Sequence, residues 1–220
     1  KNDFAVLFDL NGVIIDDIPF HKKAFFEMCA RRGVELSDDI FNQKISGRKN
    51  AEIFPMLFGD DYSPEDEEHF SDEKEALYRE IYAPHIKAVA GVVNFLKCLK
   101  TEGIPVAMAT GSPPINVSFI VDALKLGNFF DAIVDASQYS KGKPNPEVFL
   151  KAAQKLGVEP ENCVVFEDAV LGLEAAGKAG MKRIAVTTTH REDELRHADL
   201  VIKDFTEISI SSVSALFDKR

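Results

Sequence analysis

Hydrophobic positions follow two rhythms along this chain. Phe4-Ala-Val-Leu-Phe8 is a continuous apolar run that ends on Asp9. A run this short, without alternation, reads as a strand buried on both faces. Asn11-Gly12 follows, and a second apolar run, Val13-Ile14-Ile15, closes on Asp16 and Asp17. Asn-Gly between apolar runs is also the strongest short-range hairpin signal. The stretch therefore carries two readings: a β-hairpin, or a buried strand that delivers Asp9 at its carboxyl end.

After Asp17 the period changes to that of a helix. Phe20, Ala24 and Met28 recur at i, i+4, i+8 with Phe25 and Cys29 beside them, and Gly33 ends the pattern. Pro19 suits a first helical turn, with Asp16 and Asp17 available as caps. Further helical segments are expected over 37–46, 50–58 and 64–83, the last opened by Ser63-Pro64-Glu65. Nothing between 17 and 84 has strand character.

From Gly91 helix and strand patterns alternate. Val92 to Leu99 reads as an amphipathic helix stopping at Gly103, and Ile104–Ala109 as a strand. A helix over 114–126 precedes a strand at Asp131–Val134. Pro146–Leu156 reads as a helix capped by Asn145 and stopped by Gly157. Cys163–Phe166 is a strand ending on Glu167-Asp168, and Leu171–Ala179 a small-residue helix that can pack closely on a sheet. Arg183–Val186 and Leu200–Ile202 are further strands, with a short helix near 191–197 between them. Alternation of this kind with continuous apolar strands predicts an α/β fold, a Rossmann-like doubly wound parallel sheet covered on both faces. The helical block reads as an insertion, so the expected division is a discontinuous core, 1–16 with 85–220, and an all-helical cap domain, 17–84.

The length, 220 residues at 45% hydrophobic, supports one domain plus such an insertion. The net charge of −10 argues against nucleic acid or an anionic membrane as partner, because the long-range field repels phosphates. It leaves room for a small phosphorylated ligand held by local amides, lysine and metal. Cys29, Cys98 and Cys163 are far apart in sequence and form no CxxC, the usage expected of reduced thiols in a cytoplasmic protein. No run reaches membrane-span length and no signal peptide is visible; the chain opens on Lys1, so leading residues are expected to precede it.

Open parallel sheets bind ligands beyond the carboxyl ends of their strands. In order, these ends carry Asp9-Leu-Asn11, then Thr110-Gly111-Ser112, then Lys143 a few residues on, then Glu167-Asp168. Hard oxygen donors suit Mg²⁺ with phosphate as co-ligand. A hydroxyl and free amides at a helix start suit phosphate oxygens, and a lysine supplies a point charge for developing negative charge. Each motif alone is equally at home as a helix cap or a solvated charge. Their concentration at one predicted sheet edge favours the chemical reading.

These residues resemble the haloacid dehalogenase superfamily, in its phosphotransferase branch with a helical β-phosphoglucomutase-like cap. Asp9-Leu-Asn-Gly-Val is similar to its first motif, Asp-x-Asp-Gly; Ala109-Thr-Gly-Ser to its second; Lys143-Pro-Asn-Pro-Glu to its third; and Phe166-Glu-Asp-Ala-Val-Leu-Gly to its fourth. The resemblance implies that Asp9 attacks phosphorus and forms an aspartyl phosphate. It implies Mg²⁺ held by Asp9, the Asn11 backbone carbonyl and Asp168, with Glu167 nearby. It implies phosphoryl oxygens held by Thr110, the Gly111 amide and Lys143. It also implies a single helical turn after the first strand and then a small hairpin flap, which would make Gly12–Ile15 hairpin-like.

Asn11 departs from the pattern, because the acid/base of the first motif is normally a second Asp. An amide cannot exchange a proton as a carboxyl does, and losing a positioned acid/base costs on the order of 10²–10⁴ in rate. Intact metal and phosphate binding with impaired turnover is expected, the behaviour of a deliberately inactivated chain or, second, of a natural pseudo-enzyme. In the cap, His21, Gly47, Arg48 and Lys74 are candidates for substrate specificity by resemblance, each with a plain reading as a solvated or structural residue. The mutase carries a phosphate-binding Arg where this chain has Asn50. Hydrolysis of a small sugar phosphate by a monomer is therefore the leading expectation, with phosphosugar mutase activity or non-catalytic phosphometabolite binding as alternatives.

Overall fold

In the computed structural model, residues 3–45, 48–59 and 62–218 are described. The chain divides into two compact units, Lys1–Asp16 with Lys87–Arg220, and Asp17–Ile86. The second boundary falls two residues beyond the expected Pro84, because a 3₁₀ turn, Ala83–His85, extends the helical block.

The first unit is built on a six-stranded sheet in which every neighbouring pair is parallel. Its strands are β1 (Ala5–Phe8), β2 (Val106–Ala109), β3 (Ala132–Val134), β4 (Cys163–Glu167), β5 (Lys182–Val186) and β6 (Leu200–Ile202), in the spatial order β3-β2-β1-β4-β5-β6. The order reverses between β1 and β4, which is where a doubly wound sheet opens a crevice at its carboxyl edge. Every residue of β1, β2 and β4 is buried, which explains their unbroken apolar runs.

Period-two geometry sends alternate residues of β1 to opposite faces. Ala5 and Leu7 join a cluster with Val148, Phe149, Ala152, Ala175 and Ala176. Val6 and Phe8 face the other side, where Phe8 stacks on its register partner Phe166 with centroids 5.1 Å apart, and Phe95 and Phe205 close around them. Truncating one such ring to Ala typically costs about 3–5 kcal/mol.

The hairpin reading of the opening stretch is corrected. The amides of Val13, Ile14 and Ile15 all point to the Leu10 carbonyl, so the chain turns helically after Asp9. Among the described residues, only the isolated bridges Asn11–Ile15 and Ile15–Ala88 follow it. A return strand has no place beside β1, because both of its edges are taken by β2 and β4.

The second unit is helical: α1 (Ile18–Arg31), a short α2 (Asp38–Ile40) continuing into a π turn at Phe41–Ile45, α3 (Asn50–Phe58) and α4 (Glu67–Tyr82). Phe54, Phe58 and Phe70 form its aromatic core, with Phe58 and Phe70 5.1 Å apart. The Arg32 guanidinium lies over Phe70 and holds Glu73 by both nitrogens. Asp17 does not cap α1 with its side chain as expected; that carboxylate accepts a hydrogen bond from Tyr78 Oη at 2.5 Å. In the first unit the remaining helices are α5 (Val92–Thr101), α6 (Pro114–Leu124), α7 (Glu147–Leu156), α8 (Val170–Lys178) and α9 (Ile210–Ser214), the last unforeseen from its sparse apolar pattern. The segment expected as a helix near 191–197 is a 3₁₀ turn, Glu192–Glu194.

Candidate active site

Asp9 is the first residue past β1, and its amide donates to the Phe166 carbonyl at 3.1 Å, anchoring it to β4. Thr110 is the first past β2, with its amide on the Val134 carbonyl. Glu167 ends β4 and Asp168 follows. Lys143 comes from the loop before α7, whose start is capped by Asn145 Oδ1 accepting from the Glu147 amide at 3.0 Å. Four segments distant in sequence thus converge at one edge of the sheet, on either side of the point where strand order reverses.

Lys143 Nζ is 3.1 Å from Asp9 Oδ1 and also bonds Glu167 Oε1. The other Glu167 oxygen accepts from the amides of Asp168 and Ala169 at 3.0 and 3.1 Å. Glu167 is therefore fully engaged. On the neighbouring loop, Ser112 Oγ donates to Asn11 Oδ1 at 2.6 Å, and the Ser112 amide donates to Thr110 Oγ1 at 3.1 Å. Tyr139 Oη donates to the Thr110 carbonyl. Ser112 and Tyr139 are the positioning residues that sequence reading missed; Ser112 sat unweighted inside the second motif. Gly111 lies exposed between two buried neighbours, so its backbone is open to a ligand.

Two glycines shape the floor. At Gly12, whose φ of +74° favours glycine, a Cβ would fall 2.0 Å from Asp168 Oδ2. At Gly172 on α8 a Cβ would fall 2.0 Å from the Glu167 carboxyl. Both acids occupy space that only a missing side chain leaves open.

Asp9, Glu167 and Asp168 are buried, and one oxygen of each lies within 4.8 Å of the others. Among the described residues, three carboxylates here face the single ammonium of Lys143, which leaves surplus negative charge in a desolvated place. Burial pushes the Asp9 carboxyl up to about 7, with Glu167 adding to the rise and Lys143 opposing it. Burial, then Glu167 and Asp9, raises Asp168 well above the usual carboxylate range. Hard anionic oxygens short of compensating charge fit a divalent cation such as Mg²⁺.

In the helical unit, the buried Lys74 donates to Glu75 Oε1 at 2.9 Å and lies 2.8 Å from His21 Nδ1. His21 Nε2 is 3.2 Å from Asp17, and its ring stacks on Tyr78 at 3.7 Å. Asn50 Nδ2 donates to Glu75 at 2.8 Å. Lys74 is thus no solvated charge. Arg48 is exposed and faces Glu52 at 3.8 Å. Gly47 lies outside the described residues.

The sequence profile of haloacid dehalogenase-like hydrolases matches residues 5–180. The chain belongs to that family. A phosphorylated carbohydrates phosphatase of Thermotoga maritima is 32% identical over 180 residues, 82% of this chain and 83% of its own length. The β-phosphoglucomutase of Bacillus subtilis is 29% identical over 94% of this chain and 92% of its own. A haloacid dehalogenase family IA, variant 3 hydrolase structure from Entamoeba histolytica superposes with a TM-score of 0.90 at 36% identity, covering 98% of this chain and 100% of that one. As a member of this hydrolase family the chain is an enzyme. Among its described residues no helix is long and apolar enough to cross a membrane.

Proposed function

We propose that this enzyme transfers the phosphoryl group of a small sugar phosphate to Asp9 and then to water. The observation that carries the reading is the meeting of Asp9, Lys143, Glu167 and Asp168 at the carboxyl edge of the sheet. Asp9 supplies the nucleophilic oxygen. Lys143, braced by Glu167, neutralises charge on the phosphoryl oxygens, with the Thr110 hydroxyl and the Gly111 amide as further donors. Asp9, Asp168 and the Asn11 carbonyl would hold Mg²⁺, which supplies charge neutralisation when bound. Positioning and electrostatics then carry most of the catalysis of the first step.

The carbohydrate-phosphate class is supported by the names of the relatives. Hydrolysis over mutase chemistry is supported by Asn50, which stands where the mutase has its phosphate-binding Arg and is tied to Glu75. Asn11 is expected to slow turnover of ordinary esters. The test is a sugar-phosphate panel with Asn11→Asp, with and without Mg²⁺, reading released phosphate and isomer interconversion. Metal-dependent phosphate release, abolished by Asp9→Asn, is the expected result. No release from any ester would overturn the reading, and isomer formation without release would favour a mutase.

A further inference from the structure

The side-chain amide of Asn11 accepts a hydrogen bond from Ser112 Oγ through Oδ1, at 2.6 Å. Its other end is then a nitrogen whose protons can be shared in a hydrogen bond and not given away. The other groups of this site are committed. Lys143 lies between Asp9 and Glu167. Both Glu167 oxygens accept bonds. Tyr139 donates to a backbone carbonyl, and Thr110 and Ser112 are alcohols. Asp168 is assigned to the cation under the proposed function. Among the described residues of this unit, that leaves no side chain positioned to protonate a departing oxygen.

We infer that Asn11 makes phosphoryl transfer at this site depend steeply on the leaving group, so that donors whose leaving oxygen departs as a stable anion (acyl phosphates, phosphoanhydrides, enol or aryl phosphates) react well and the alkyl esters of sugars only slowly. The inference rests on Asp9 as nucleophile. In the first step an Asp9 carboxylate oxygen bonds to phosphorus and the bond from phosphorus to the leaving oxygen breaks. The leaving group takes the electron pair and departs as an anion. In the second step water bonds to phosphorus, the bond to Asp9 breaks with its electrons returning to the carboxylate, and the water proton passes to solvent. With an amide where a base would sit, that second step is slow, so phospho-Asp9 accumulates.

The substitution Asn11→Asp is a clean probe, because the Ser112 bond to Oδ1 survives it and only the second side-chain atom changes. Rates would be measured with Mg²⁺ for both chains on dinitrophenyl, nitrophenyl, phenyl and alkyl phosphates. The advantage of Asn11→Asp is expected to stay within about tenfold for the best leaving group and to grow to on the order of 10²–10⁴ for the alkyl ester. After acetyl phosphate and acid quench, intact mass should show a hydroxylamine-sensitive phosphate that outlives the one on Asn11→Asp and is missing from Asp9→Asn. An advantage that is constant across the series means another group supplies the proton and overturns the inference while leaving Asp9 in place. So does a phosphoenzyme that decays equally fast in both chains. Phosphate release that survives Asp9→Asn would instead overturn the nucleophile assignment, and the inference with it.

Discussion

Gly172 of α8 faces the Glu167 carboxyl so closely that a Cβ there would sit 2.0 Å from its carbon. Glu167 cannot step aside, because Lys143 and two backbone amides hold both its oxygens. In an open helix Gly→Ala would stabilise by roughly 1 kcal/mol. Here overpacking of about 1–3 kcal/mol should win. Gly172→Ala is expected to lower the melting temperature and, by shifting Lys143 through Glu167, to cut phosphate release at least tenfold. Gly177 on the same helix is the control. Its Cβ would meet Arg183 Nη1 at 2.9 Å, the far end of a flexible side chain. Gly177→Ala should be neutral or stabilising, with unchanged rate.

Among the described residues, Lys143 is the one cation shared by Asp9 and Glu167. Lys143→Met leaves two buried carboxylates without it, a loss of about 3–5 kcal/mol. Protonating the acids relieves the penalty, so the deficit in denaturant midpoint should be larger at pH 8 than at pH 5. An equal deficit at both would show that the pair contributes through packing alone.

The raised Asp9 carboxyl makes metal and pH act together. In the unfolded chain it ionises from the usual 3.8, whereas in the fold it holds its proton up to about 7. Between those values the unfolded state binds fewer protons, so stability of the metal-free protein falls as pH rises. A divalent cation needs the ionised form and offsets the surplus charge. The Mg²⁺-induced rise in melting temperature should therefore be larger at pH 8 than at pH 5, and most of it should vanish in Asp9→Asn.

Glu75 in the helical unit shows the opposite sign. Burial alone would raise its carboxyl, but Lys74, His21 and the Asn50 amide overcome burial and hold it down at about 2. Its contribution is present above the unfolded value of 4.5 and is lost as pH falls toward 2. Glu75→Gln should cost about 1.5–3 kcal/mol at pH 7. Thermal melts at pH 3 should show a smaller difference between the two chains.

Much of this was legible along the chain. The strands with both faces buried announce themselves as unbroken apolar runs, and Asp9, Thr110 and Glu167-Asp168 stand out because each lies at a strand end. Lys143 was visible only as the head of a Pro-Asn-Pro motif. His21 and Lys74 were ambiguous, since a charge on a helix looks the same in sequence whether it is solvated or buried beside a partner 53 residues away. The Asn11-Gly12 turn pointed toward a hairpin for a local reason, and the two neighbours of β1 excluded it for a non-local one.

What the sequence determined by itself is the set of reactive groups and the edge of the sheet where they gather. Period and run length encode strands and helices locally, and each motif follows its strand directly. It also determined that position 11 carries an amide. Only the tertiary structure decided how these groups are tied: Ser112 on Asn11, Lys143 between Asp9 and Glu167, and the two glycines that leave room for Asp168 and Glu167. Those relations join residues from 24 to 156 positions apart, except across the short turn from Glu167 to Gly172, and their strength comes from burial. Burial is a property of the folded whole, and no local stretch of sequence states it.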